Sequence, residues 1–174
     1  MPAKPYESER LILSQTDLDD AEVVLAVMNT PKWIQFIGDR NVRSIEEAKA
    51  YIEAKYLPQL HRLGYSNFTL IRKSDGVNMG FCGLYDREGV EGLDIGFALL
   101  PEHEGKGYAY EASRELLDRA LGEWEISVVS AITTKDNTAS QRLLEKLGLN
   151  RIGFITLPKD TEELLLYRIQ RGNT

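Results

Sequence analysis

Gly105 and Gly107, in the segment Glu104-Gly105-Lys106-Gly107-Tyr108-Ala109, are the residues whose type and spacing point first to chemistry. They stand between an apolar run, Leu93 to Leu100, closed by Pro101, and a helical pattern that runs to Leu121. Glycine admits positive φ and lets other groups come close to the backbone, and the first amides of a helix have no intrahelical partners. A glycine turn that opens onto a helix is therefore a seat for phosphate oxygens. Lys106 stands nearby as a compensating charge or as an ordinary loop lysine. The spacing is too short for the GxxxxGK[ST] loop and lacks the third glycine of GxGxxG, so neither common nucleotide fingerprint applies. Taken alone, such a turn is more often only a tight turn.

A second pair is Asn137 and Ser140, which a three-residue spacing places on one face at the start of a helix. Asn137 is a good N-cap, so simple capping is the competing account of the pair. Cys82 sits between Phe81 and Gly83 in an expected strand, where core packing explains it better than a covalent acyl carrier does. His61 and His103 are distant in sequence and have no ligand cluster, so no metal is expected.

The elements that must hold these residues follow from periodicity. Arg10 to Ser14 reads as a strand, and Thr16 reads as the cap of a helix running to about Asn29, with Leu18, Ala21, Val24, Leu25 and Met28 on its apolar face. Between Pro31 and Gly38, Trp33, Ile34, Phe36 and Ile37 form an apolar connector. Its side chains either close the core, the preferred reading for Ile34 and Ile37, or wall a substrate pocket. Ser44 to Glu47 matches a capping box for a helix carrying Ala48, Tyr51, Ile52 and Leu57, disturbed at Pro58 and Gly64. Phe68 and Leu70 mark a strand, Ser74-Asp75-Gly76 a hairpin turn, and Met79 to Tyr85 its antiparallel partner. The strand at Leu93 completes a meander before the glycine turn.

After that turn, Ala109, Ala112, Leu116, Leu117 and Ala120 recur at helical spacing until Gly122. Ile126 to Ile132 is another strand, joined to the Leu93 strand through the helix as a parallel crossover. A helix from Asn137 to Gly148 and strands near Arg151 to Thr156 and Leu164 to Ile169 complete a mixed α/β sheet in one domain.

Composition excludes several classes. With 174 residues the chain can bury a substantial core, and 43% hydrophobic with 28% charged residues is ordinary globular usage. A net charge of -6 disfavours nucleic-acid or anionic-membrane binding and suits basic or amine partners. The sequence has no apolar run of membrane-spanning length, and the first ten residues lack a signal-peptide core. A single cysteine allows no internal disulfide, and a cytoplasmic setting is expected.

Taken in order, several segments carry a resemblance. They are Ser8-Glu9-Arg10-Leu11-Ile12-Leu13, Pro31 to Asp39, Asp94-Ile95-Gly96-Phe97, Glu104 to Ala112, and Asn137 to Gly148 with its NxxS and EKLG. Together they resemble the GNAT superfamily of N-acetyltransferases, in its RimJ/RimL-like branch of ribosomal-protein-alanine N-acetyltransferases. The resemblance implies the GNAT fold: a mixed, mostly antiparallel sheet of about six to seven strands flanked by about four helices. It also implies acetyl-coenzyme A as co-substrate and direct acetyl transfer to a primary amine.

By the same resemblance, Glu104, Gly105, Lys106, Gly107, Tyr108 and Ala109 hold the pyrophosphate, mainly through backbone amides. Family members commonly carry Gln or Arg where Glu104 stands, so this carboxylate is expected to turn outward. Free amides near Leu99 and Leu100 would hold the pantetheine arm and thioester, and oriented amides stabilise a tetrahedral intermediate. Asn137 would lie along the pantetheine and Ser140 near the sulfur. Many relatives place a tyrosine general acid where this chain has Leu144, which leaves Ser140 as the candidate to assist the departing thiolate.

Asp94 shares a strand face with Gly96 and Ala98 and corresponds to an acidic residue common in the branch. It is the candidate to deprotonate or recognise the amine, against the alternative of a carboxylate bonded to neighbouring strands. Trp33 and Phe36 are candidates to line the acceptor site. The acceptor is a protein N-terminus or a small-molecule amine, and the chain a monomer or homodimer. The rival reading is a catalytically silent acyl-CoA-binding or regulatory domain, kept open by Leu144 and Glu104.

Overall fold

The computed structural model describes residues 4–172. Its strands are β1 (Tyr6–Glu7), β2 (Leu11–Gln15), β3 (Asn67–Arg72), β4 (Asn78–Tyr85), β5 (Leu93–Leu99), β6 (Val128–Thr133), β7 (Asn150–Ile155) and β8 (Leu164–Gln170). Its α-helices are α1 (Ala21–Met28), α2 (Pro31–Phe36), α3 (Ile45–Tyr51), α4 (Leu57–Leu63), α5 (Tyr108–Leu121) and α6 (Thr138–Lys146). The described residues thus contain more strands and helices than the resemblance led us to expect. β1 is two residues long and carries no period to read, and α2 and α4 are short helices beside prolines.

The chain packs as two compact units. One holds the residues through Gly83 together with Phe97–Ala112, the other Leu84–Gly96 with Ser113–Thr174. In the first, the strand order is β1-β2-β3-β4-β5, and β1 to β4 pair antiparallel. In the second it is β5-β6-β8-β7, with β5 parallel to β6 and the other pairs antiparallel. Leu11, Leu13, Val24, Val27, Phe68 and Leu70 fill the core of the first unit. Leu116, Leu117, Val129, Leu144 and Tyr167 fill that of the second. Each fully buried aliphatic side chain contributes about 2 kcal/mol through the water it no longer orders.

Three local features depart from the sequence reading. Thr16 is buried, its hydroxyl hydrogen-bonded with Thr69 at 2.9 Å and accepting from Asn67 at 2.9 Å, so it is not a cap. Asp17 caps instead, in a reciprocal box with Asp20, over a 3-10 turn that leads into α1. The apolar connector after Pro31 is helical: Thr30 accepts from the Trp33 amide, and Pro31 occupies the first turn, where its missing N–H costs nothing. Trp33 is 9% exposed and packs edge-on to Phe81 at 5.6 Å, but Ile34 and Ile37 are 41% and 47% exposed and do not close the core. Finally, α3 runs through a π-helical turn, Ile52–Tyr56, into α4, so Pro58 lies inside the first turn of α4, and Gly64 at φ +87° ends it.

A β-bulge shapes the end of β5. In the β3–β4 pair the register steps from Leu70↔Gly80 to Ile71↔Asn78, which leaves Met79 as the extra residue. Gly80 has φ +150°, and a Cβ there would stand 2.2 Å from the Ala98 carbonyl oxygen. Only glycine lets β4 approach β5 so closely. The parallel register of β5 with β6 joins Leu93 to Val129 and Asp94 to Ser130.

Candidate functional site

The glycine turn follows a 3-10 turn, Pro101–His103, that ends β5. Gly105 (φ +74°) and Gly107 (φ +83°) are both left-handed, the conformation that glycine adopts without penalty. Behind the turn stands Arg10, at the start of β2. Its Nη1 donates to the Lys106 carbonyl at 3.0 Å, its Nε to Glu111 at 2.7 Å, and its guanidinium lies 4.3 Å above the Tyr108 ring. Glu111 also accepts from the Ser8 hydroxyl at 2.5 Å and the Arg10 amide at 2.8 Å. Burial pushes the Glu111 carboxyl up, but the hydrogen bonds from Ser8 and Arg10 outweigh it and leave its pKa below the ordinary value.

The consequence is directional. In a trans peptide the carbonyl and the following N–H point opposite ways, so pinning the Lys106 carbonyl on Arg10 aims the Gly107 amide away from β2. The Tyr108 ring is buried beneath Arg10, which leaves its backbone rather than its side chain for a ligand. Ala109 is half-buried in the first turn of α5. Lys106 donates to the Glu102 carbonyl at 3.2 Å, back into its own loop. Glu104 is not loose: its carboxylate is paired with Lys32 of α2, the helix that carries Trp33 and the half-buried Phe36.

The Leu100 amide donates to the Met79 carbonyl at 2.9 Å, the residue freed by the bulge. It is therefore engaged, contrary to the expectation of a free amide there. Alternation along the strand turns the Leu99 amide the other way.

Asp94, on β5, is 3% exposed and accepts from Arg87 Nε at 2.7 Å. Burial raises its pKa to about 6, while the Arg87 charge, the hydrogen bond from Arg87 and one from the Ile132 backbone hold it lower than burial alone would. The space expected beside it is filled: a Cβ at Gly96 would meet the Tyr85 ring at 3.1 Å.

Asn137 caps α6 by accepting from the Ser140 amide at 3.2 Å, which leaves its side-chain N–H groups and the half-buried Ser140 hydroxyl for other partners. Gln141 donates to the carbonyls of Thr134 and Lys135, fixing the turn before α6. Leu144 is 1% exposed and belongs to the core. Cys82 is buried as well. No group of three potential metal ligands occurs among the described residues, and no helix among them is long and apolar enough to cross a membrane.

The structure thus joins Glu104 to α2 and Asn137 to Ser140. The turn, Leu99, Leu100, Trp33 and Phe36 belong to the first unit, and Asp94, Asn137 and Ser140 to the second. Sequence reading gave no role to Arg10, Glu111, Lys32 or Arg87. A charged residue in a loop or at a strand start gives no sign of its partner when that partner lies far along the chain.

The GNAT acetyltransferase domain model matches residues 10–150, and the chain belongs to that family. The uncharacterized N-acetyltransferase YoaA of Bacillus subtilis (strain 168) is 27% identical over 150 residues, covering 86% of this chain and 84% of its own. Among solved structures, an acetyltransferase (GNAT family) from Bacillus anthracis superposes with a TM-score of 0.78 at 23% identity, covering 96% of this chain and 98% of its own. The ribosomal-protein-S5-alanine acetyltransferase from Vibrio fischeri does so with a TM-score of 0.71 at 17% identity, covering 97% of each chain. The α/β GNAT fold is common to these structures and this chain.

Proposed function

We propose that this chain transfers the acetyl group of acetyl-coenzyme A directly to a primary amine. The observation that carries the reading is the turn at Gly105 and Gly107, with the Lys106 carbonyl drawn back by Arg10 and the Gly107 amide turned outward at the start of α5. Amides so oriented suit the two phosphates of the coenzyme. The Leu99 amide would receive the thioester oxygen as it gains charge, and the Asn137 side chain would follow the pantetheine arm.

In the reaction the amine nitrogen attacks the thioester carbonyl carbon, the carbon–sulfur bond breaks, and the ammonium formed gives up its proton. Ser140 would hydrogen-bond the departing thiolate, which takes up a proton to leave as the thiol. Asp94 would bear on the amine by drawing its proton through water or by the field of its carboxylate, since it is buried and bonded to Arg87.

For the acceptor, we favour a protein N-terminal amine, the acceptor implied by the RimJ/RimL-like resemblance. Trp33 and Phe36 on α2 are the aromatic side chains we assign to it. The second reading, a silent acyl-CoA-binding domain, is favoured by Leu144, whose place in the core removes any side-chain acid there. Incubation with labelled acetyl-coenzyme A and a panel of N-terminal peptides, polyamines and amino acids, following free thiol, separates the two. Thiol release and a labelled product are expected with an N-terminal peptide. Binding without release on any acceptor would leave the silent domain.

A further inference from the structure

We propose that Lys32, carried on α2, is a cation that faces the coenzyme pyrophosphate and offsets the Glu104 carboxylate at the head of the glycine turn. The inference rests on the reading of that turn given above. A carboxylate at the head of a turn meant for two phosphates repels them unless a cation stands with it. In this chain the carboxylate at Glu104 is paired with Lys32 Nζ, so the turn opens on a neutral couple rather than on a bare anion.

Three other cations of this unit that border the turn have partners of their own. Lys106 donates to the Glu102 carbonyl, Arg10 to the Lys106 carbonyl and Glu111, and Arg72 to Asp75 and the Tyr108 hydroxyl. Lys32 differs from them in its partner, which is the carboxylate at the head of the turn. Its ammonium is exposed and paired with a partly exposed carboxylate, and water screens such a pair enough that the ammonium can turn to a phosphate. An ammonium has three N–H donors, so it can keep Glu104 and still give two to phosphate oxygens. A lysine brought from α2 then supplies the positive charge that a basic residue at position 104 would otherwise supply from within the turn.

The experiment compares affinity for acetyl-coenzyme A, for its 3′-dephospho form, which keeps the pyrophosphate and should respond to each substitution as acetyl-coenzyme A does, and for S-acetylpantetheine, which shares the thioester arm but has no pyrophosphate, in the wild-type chain, Lys32→Met, Glu104→Gln and Lys32→Met with Glu104→Arg. Melting temperatures establish that each variant folds. Lys32→Met is expected to weaken acetyl-coenzyme A about tenfold and leave S-acetylpantetheine unchanged. Glu104→Gln should bind the coenzyme at least as tightly as wild type, and the arginine at 104 should restore what Lys32→Met lost. A pair that serves only to hold α2 would instead make Lys32→Met and Glu104→Gln lose equally, for both ligands, and that result overturns the proposal. So does a Lys32→Met chain that binds the coenzyme as wild type does. A wild-type chain that binds S-acetylpantetheine but gains nothing from the pyrophosphate removes the reading of the turn itself, and Lys32 with it.

Discussion

Arg10 and Lys106 are joined by a 3.0 Å hydrogen bond from a guanidinium nitrogen to a main-chain carbonyl, so a side chain at the start of β2 sets the direction of a peptide group 96 residues later. The bond is charge-assisted but about two-fifths exposed on the arginine side, which lowers its worth from about 2 kcal/mol toward 1. Arg10→Leu is expected to weaken acetyl-coenzyme A binding about fivefold. Arg10→Lys should lose nearly as much, because a point charge cannot make the fork that reaches both Lys106 and Glu111. Calorimetric titration of both variants checks this, and a lysine variant that binds as wild type would show that charge alone suffices.

Gly105 and Gly107 share the left-handed conformation but not the surroundings. A Cβ at Gly105 meets open space, whereas one at Gly107 stands 3.3 Å from the Arg10 guanidinium. An alanine at either position costs about 1 kcal/mol or more in backbone strain. Thermal unfolding should therefore show similar losses for Gly105→Ala and Gly107→Ala. Coenzyme binding should separate them, with Gly107→Val abolishing it and Gly105→Ala retaining most of it.

Asp94 sets a pH dependence whose sign runs against the common case. Its pKa is about 6 in the folded chain and near 3.8 when unfolded. Between those values the folded chain keeps a proton that the unfolded chain has lost, so this group's contribution to stability falls as pH rises, by roughly 3 kcal/mol over the whole window. Asp94→Asn cannot ionise. The difference in melting temperature between wild type and Asp94→Asn should thus move in favour of the variant from pH 4 to pH 7. If the carboxylate serves the amine, acetyl transfer by the wild type should rise through about pH 6, and the variant should lack that limb. A flat difference in melting temperature would mean that Arg87 fully offsets the burial.

Asn137 and Ser140 divide structure from chemistry. Asn137→Ala removes an observed cap and should cost about 1 kcal/mol of stability. Ser140→Ala leaves that cap in place, because the bond is to the Ser140 amide. It should unfold like wild type and bind the coenzyme with little loss, yet turn over more slowly. Unchanged turnover would remove the hydroxyl from the mechanism.

The strand–turn–helix from Leu93 to Leu121 and the cap at Asn137 were legible because each is local: an apolar run, a glycine pair, a helical period, an N-cap residue. The parallel crossover was legible for the same reason, since a helix joins the two strands. What escaped depends on distant residues. Whether Thr16 or Asp17 caps the first helix turns on Thr69 and Asn67, on β3, which engage the threonine hydroxyl. The helical state of Pro31 to Phe36 was hidden by its length, too short for a period to show. The exposure of Ile34 and Ile37 was hidden for the same reason, since a helix turns outward residues that a connector would lay on the core. The occupied amide of Leu100 depends on a bulge at Met79, invisible in a strand pattern of apolar residues and glycines.

That bulge gives β5 two unlike sides. The Leu100 amide, locked onto the Met79 carbonyl, should exchange its hydrogen for deuterium only when β4 and β5 come apart. The Leu99 amide, which alternation along the strand turns the other way, should exchange far sooner. Neighbouring amides one residue apart would then differ by orders of magnitude in exchange rate, and a bound thioester would slow Leu99 but not Leu100.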